Sequence, residues 1–279
     1  MNYGKIWQNA AHEFLEVPLI DNERGCTLLH LSFTEQYSSD MQILQKEFEK
    51  AFSLWWEETE PHYMSFNNDY TFNLLPSFSL AVADYLDIKR DISMALASIV
   101  RIFYFGHHVH ELVPDDHEDH GHENELQFFI LIGDYTLGKV LHLLTEANLE
   151  MLLDIFLDMI SKINEGMVLK YHFQPGFIDM LIHSRMPLYA SIGLSAATIA
   201  QLPEDRKLLF RDLSFCYGMA AELIEQGGFS EEAHRYLFKC EKIFGNINKS
   251  PSYINSNLEK AIRDLRQILT GQNEKAATI

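Results

Sequence analysis

The chain has 279 residues, of which 47 % are apolar, enough to fill a packed core and too many for a disordered polymer. Its 14 glycines and 8 prolines are about 8 % of the residues against an average near 12 %, so turns are scarce, many-stranded sandwiches and barrels are disfavoured, and an all-α class is expected. Twenty-two basic against 40 acidic residues leave a net charge of −18, which repels nucleic acid and anionic membrane surfaces.

Cys26, Cys216 and Cys240 are odd in number and widely spaced, the pattern of reduced thiols in a cytoplasmic protein. No apolar stretch follows the first residues, so no secretory signal is expected. The longest uncharged run, 186–202, is shorter than the ~20 apolar residues a membrane-spanning helix needs.

The first sixty residues are mixed in pattern. Positions 41, 44, 48, 51, 52 and 55 are apolar at helical spacing, which predicts a helix over Met41–Trp56. Pro61 and the paired asparagines predict a loop over Glu57–Asn68. Helices are expected at 77–86, 92–106, 128–145 and 149–168. Four more follow at 176–202, 206–226, 230–244 and 256–269, with Gly227-Gly228 as a stop and Ser230-Glu231-Glu232 as a start signal. Single aromatics on these faces (Tyr135, Tyr189, Tyr217), like the pair Trp55-Trp56, carry no assigned role. The expectation is one helical domain over 1–279, with 1–68 its least defined part.

One segment carries chemistry. Residues 107–125 hold six of the thirteen histidines and seven carboxylates, and no lysine or arginine lies between Ile102 and Gly138. Asp115 and Asp119, four apart, share a helical face with Asp116 beside them. Three hard oxygen donors with room for water suit Mg²⁺. Imidazoles at His117, His120 and His122 offer an alternative Zn²⁺, Ni²⁺ or Cu²⁺ site. A solvated acidic turn is the third reading. Pro114 lies just ahead of the aspartates, where a proline removes a helical hydrogen bond and predicts a break over His110–Pro114.

Asp115-Asp116-His117-Glu118-Asp119 matches a DDxxD motif. In order around it stand His107-His108, Gly133-Asp134-Tyr135, Glu165-Gly166, Leu188-Tyr189-Ala190-Ser191-Ile192-Gly193 and Tyr217-Gly218. In this ordered set, spread over about residues 76–226, the chain resembles the trans-type polyprenyl diphosphate synthases. The resemblance implies an all-α bundle of long antiparallel helices that joins isopentenyl diphosphate to an allylic diphosphate, with Mg²⁺ on Asp115, Asp116 and Asp119.

The chain also departs from that pattern. Phe72-Asn73-Leu74-Leu75-Pro76 replaces the basic motif that holds isopentenyl diphosphate, and the Arg-Arg pair after DDxxD is absent. Ser184 takes the place of a motif lysine, with Arg185 next to it. Ala221-Glu222 and Glu225-Gln226-Gly227-Gly228-Phe229 stand where Phe-Gln and a second DDxxD are expected. Arg185, Glu222 and Glu225 are therefore the candidate substrate-binding residues. His110 and Glu111 occupy the usually apolar positions that shape the product tunnel.

Because ionising a diphosphate depends on charge stabilisation, the losses point to a chain with little activity alone. The resemblance then implies the divergent component of a heteromeric heptaprenyl or hexaprenyl diphosphate synthase, partnered by a full-motif subunit, or a homodimer. Apolar stripes at 149–168 and 186–202 are the candidate interface. An active prenyltransferase with a peptide acceptor, and a non-enzymatic His/Asp metal-binding protein, are the two alternatives.

Overall fold

A computed structural model describes residues 31–66, 69–111, 123–173, 175–247 and 256–276. The chain divides at His30, and every described residue lies in one compact unit, Leu31–Ile279. Among the described residues there is no strand. Eleven α-helices follow a 3₁₀ turn at Ser32–Tyr37: α1 (Ser38–Ala51), α2 (Trp56–Ser65), α3 (Tyr70–Tyr85), α4 (Arg90–Glu111), α5 (Glu123–Glu146), α6 (Leu153–Phe173), α7 (Phe177–Ser184), α8 (Met186–Ile199), α9 (Glu204–Gln226), α10 (Ser230–Ile247) and α11 (Asn257–Ala276).

At the centre stands α3, apolar on nearly every face and buried on nearly every face, as such a helix must be. It is flanked by α4, α8 and α11. Beyond α8 lie α6 and α9, and α10 closes against α9. Asp264 of α11 fastens the start of this unit: it accepts hydrogen bonds from the Ser32 hydroxyl (2.9 Å) and from the backbone N–H of Phe33 (2.9 Å). An aromatic cluster of Phe48, Phe52, Tyr63, Phe66, Phe72 and Phe105 joins α1 and α2 to α3 and α4. Within it Arg101, 4 % exposed, donates to the Tyr63 hydroxyl at 3.0 Å and lies 4.5 Å from the centre of the Phe72 ring.

The glycines of the sequence pattern sit where helices cross. A Cβ on Gly193 (α8) would overlap the backbone carbonyl of Phe210 and the hydroxyl of Ser214, and one on Gly218 (α9) would overlap the ring of Tyr189. Gly133 (α5) makes room for the His110 imidazole, and Gly166 (α6) for the backbone at His183.

Three expectations are corrected. The loop expected over Glu57–Asn68 is helical over most of its length, because α2 spans Trp56–Ser65; Asn67 and Asn68 lie outside the described residues. Thr59, Tyr63 and Phe66 are buried at helical spacing, and tertiary burial overrides the local breakers. The helix placed at 77–86 begins at Tyr70, where the Asp69 side chain caps it by accepting from the Phe72 N–H at 2.6 Å, and Pro76 lies inside it. The helix placed at 176–202 is two, α7 and α8, parted at Arg185. Pro187, the second residue of α8, cannot donate back into α7, so the chain restarts there. Of the break predicted over His110–Pro114, His110 and Glu111 are still helical in α4, and the rest of that segment, Pro114 included, lies outside the described residues.

Two helices, Arg90–Glu111 and Gln127–Glu146, are long and apolar enough to cross a membrane by length and composition. The first is 72 % buried inside the bundle and the second 28 %.

Candidate functional site

The α7–α8 break positions the first functional side chain. Arg185, at the junction, forms an ion pair with Glu222 of α9 and donates a second hydrogen bond to the Thr71 hydroxyl of α3 at 3.2 Å. Glu222 is dry, with its side chain 1 % exposed, while that of Arg185 is 36 % exposed. The other carboxylate oxygen of Glu222 accepts from the Thr71 hydroxyl at 2.8 Å and from the Tyr189 hydroxyl of α8 at 3.0 Å. Three donors, from two helices and the junction, thus converge on one buried carboxylate of a third helix, the arrangement that makes a buried charge tolerable. The anion beside it holds the guanidinium of Arg185 in its charged form against burial. Burial beside this anion raises the Tyr189 and Tyr70 phenols well above their ordinary range.

On the outer side of Arg185 the last turns of α4 add Tyr104 and His107. The Tyr104 hydroxyl donates to the Asp69 carboxylate at 3.3 Å. Burial pushes the His107 imidazole down to about 4, against the pull of Glu111. For Glu111, burial acts to raise the pKa, but the His108 hydrogen bond and the positive neighbours, Lys170 among them, bring it to about 2. His107 is neutral above about pH 4, so near neutral pH Glu111 is held by His108 (3.4 Å) and by Lys170 of α6 (3.4 Å).

The shift in His107 has a measurable consequence. The unfolded chain takes up a proton there near pH 6.5 and the folded chain only near pH 4, so this group stabilises the fold above pH 6.5 and loses that contribution as pH falls between the two values. The melting temperature is expected to fall from pH 7 to pH 4. His107→Gln should remove roughly 2–3 kcal/mol of that dependence with little change at pH 7. Identical pH profiles for the two proteins would refute the assignment.

The structure brings together two of the three candidate substrate-binding residues, Arg185 and Glu222. Glu225 lies one turn further along α9, half-buried, and its charge reaches Tyr70. The metal candidates Asp115, Asp116 and Asp119, and His117, His120 and His122, lie outside the described residues. Among the described residues no group of three or more His, Cys, Asp or Glu side chains is placed to hold a metal ion. Thr71 carried no signal in the sequence. Tyr189 was legible only as an aromatic on a helical face. Cys216 and Cys240 are free, buried thiols. Burial raises that of Cys216 to about 11, which leaves it unreactive near neutral pH.

A separate groove of about 570 Å³ runs outside the α7–α8 junction, between α6 and α9. Its floor is apolar, and four of its rim charges are spent on one another, Lys162 on Asp158 and Arg211 on Asp212.

No family model matches the chain, and no curated protein matches it in sequence. Solved structures do. The geranyl diphosphate synthase small subunit from Antirrhinum majus is similar over 85 % of this chain and 97 % of that chain, with 17 % identity and a TM-score of 0.60. A decaprenyl diphosphate synthase from Rhodobacter capsulatus is similar over 88 % of each chain, with 17 % identity and a TM-score of 0.57. A polyprenyl synthase from Caulobacter crescentus, complexed with calcium and isoprenyl diphosphate, is similar over 88 % of this chain and 87 % of that chain, with 16 % identity and a TM-score of 0.57. The chain therefore has the all-α fold of the isoprenoid synthases.

Proposed function

We propose that this protein is a subunit of a heteromeric polyprenyl diphosphate synthase in the cytoplasm, with little or no activity alone, and that its partner covers α5 and the outer face of α6. One observation carries the reading. The exposed positions of α5 between Gln127 and Thr145 include Ile130, Leu131 and Leu141 and a single formal charge, Asp134. In a protein of net charge −18, a helix face so short of charge is suited to a protein contact rather than to water. Met151, Leu157 and Val168, all more than half exposed, add apolar surface on the following turn and on α6. The stripe at 186–202 is not part of it: Met186, Leu188, Tyr189, Ile192, Ala196 and Ala197 are fully buried.

Two further points support the reading. One of the structures similar to this chain is itself a small subunit. The cation at the α7–α8 junction, Arg185, is engaged by Glu222, whereas stabilising a departing diphosphate needs free positive charge. Asp115, Asp116 and Asp119 remain the proposed Mg²⁺ ligands, with Mg²⁺ supplying charge neutralisation at a diphosphate when bound.

The test is incorporation of labelled isopentenyl diphosphate with farnesyl diphosphate and Mg²⁺, using the purified chain alone and then with a full-motif synthase from the same cell. Product is expected only from the pair, as a complex visible by light scattering. Product from the chain alone, lost in Asp115→Ala, would overturn the reading. Leu131→Glu is expected to weaken the complex by about 2 kcal/mol, roughly 30-fold in Kd, because a charge would enter a desolvated contact. Its melting temperature alone should be unchanged, since Leu131 is 65 % exposed. An unaltered Kd would place the interface elsewhere.

A further inference from the structure

The groups around Glu222 are those of an oxyanion receptor. A guanidinium (Arg185) and two hydroxyls (Thr71, Tyr189) all donate to its carboxylate oxygens. A fourth donor stands by unused: the Tyr70 hydroxyl is buried without a hydrogen-bond partner, and Glu222 is among the charges acting on it. The guanidinium spans two environments, in contact with a carboxylate that is 1 % exposed while itself 36 % exposed. Tyr104 and His107 of α4 and the Asp69 carboxylate lie within electrostatic reach of it.

We infer that Glu222 is a built-in occupant of an anion pocket: its carboxylate fills a receptor made by Arg185, Thr71 and Tyr189 that would otherwise take a compact oxyanion of the phosphate class. The inference rests on the reading of this chain as a subunit without a working diphosphate site, and it deepens that reading by naming what closes the site. The pair is neutral in sum, and a free dianion approaching Arg185 would meet the Glu222 carboxylate at contact distance. The same side chain ties α3, α8 and α9 together around the junction without a ligand, so the bundle keeps one geometry at every ligand concentration. Opening the pocket requires that the carboxylate group itself be removed, and the donors then stay in place because they belong to the rest of the framework.

The experiment is calorimetric titration of inorganic phosphate, without metal, into wild-type protein, Glu222→Ala, Glu222→Gln and the double variant Arg185→Met/Glu222→Ala, with melting temperatures read alongside. Glu222→Ala removes the carboxylate and leaves its space to Arg185, Thr71 and Tyr189, whereas Glu222→Gln keeps the volume and an oxygen for Thr71 and Tyr189, so that pocket stays filled. Glu222→Ala should bind phosphate at least about tenfold more tightly than wild type, the gain of about one charged hydrogen bond. Glu222→Gln and the double variant should show no such gain. Equal affinity in wild type and a folded Glu222→Ala protein would overturn the inference, as would a gain that survives loss of Arg185. If Glu222→Ala is unfolded by itself, failure of phosphate to restore its melting transition would overturn it equally. The titration uses no partner subunit, so its outcome is independent of whether the α5 face binds one.

Discussion

Arg185→Met is expected to lower stability by about 3–5 kcal/mol, because it strands the Glu222 carboxylate, 1 % exposed, without its counter-charge. At 2–4 °C per kcal/mol for a chain of this size, the melting temperature should drop by about 6–20 °C. Two hydroxyl bonds from Thr71 and Tyr189 remain, and they cannot replace a full charge in a dry site. Removing both partners is a different experiment. Arg185→Met with Glu222→Leu deletes the charge and its requirement together, and most of the lost stability should return, since buried pairs are often no better than apolar residues of the same size. Differential scanning calorimetry on Arg185→Met, Glu222→Leu and the double variant closes the cycle. A single variant as stable as wild type would mean that water reaches Glu222 and that the pair is a surface contact.

Gly193→Ala should cost about 3 kcal/mol, near the upper end for an inserted methyl, although glycine in a helix is normally the less stable choice. At an open helical position the same change would stabilise. Here the added Cβ overlaps the carbonyl of Phe210 and the Ser214 hydroxyl, and the carbonyl, part of the α9 backbone, cannot rotate away as a side chain can. α8 must then move off α9, carrying Tyr189 with it and lengthening its bond to Glu222. A chemical denaturation midpoint below that of wild type, with an unchanged slope, is the expected result. A midpoint equal to or above that of wild type would show that the two helices are not in contact at this crossing.

The all-α class was legible from the scarcity of glycine and proline and from apolar spacing, because both signals are local. Helix ends were legible where they are marked by unambiguous residues. Gly227 and Gly228, both at positive φ, close α9 where expected. Pro76 misled, since a proline also stands for a helix start; the true cap was Asp69, seven residues earlier. Tyr63 and Phe66 form a helix only because α1, α3 and α4 supply a surface to cover them, and no local pattern reports that surface. Arg185 and Glu222 were legible as candidates but their pairing was not. It depends on a break at Pro187 and on two helices crossing at Gly193 and Gly218, which are properties of the packed bundle. One half of the expected interface, the stripe at 186–202, erred for the same reason. The strongly apolar 186–199 stretch is core, and the less conspicuous α5 is the one left uncovered.

The crossing glycines have one more consequence. Gly133, Gly166, Gly193 and Gly218 each stand where a side chain would collide with a neighbouring helix, a demand made by assembly of the bundle and indifferent to turnover. Any chain that folds into this bundle must meet it, whatever chemistry it performs. Such positions therefore report the scaffold alone. The chemistry a scaffold supports is decided instead by the charges placed on it, at sites like Arg185 and Glu222.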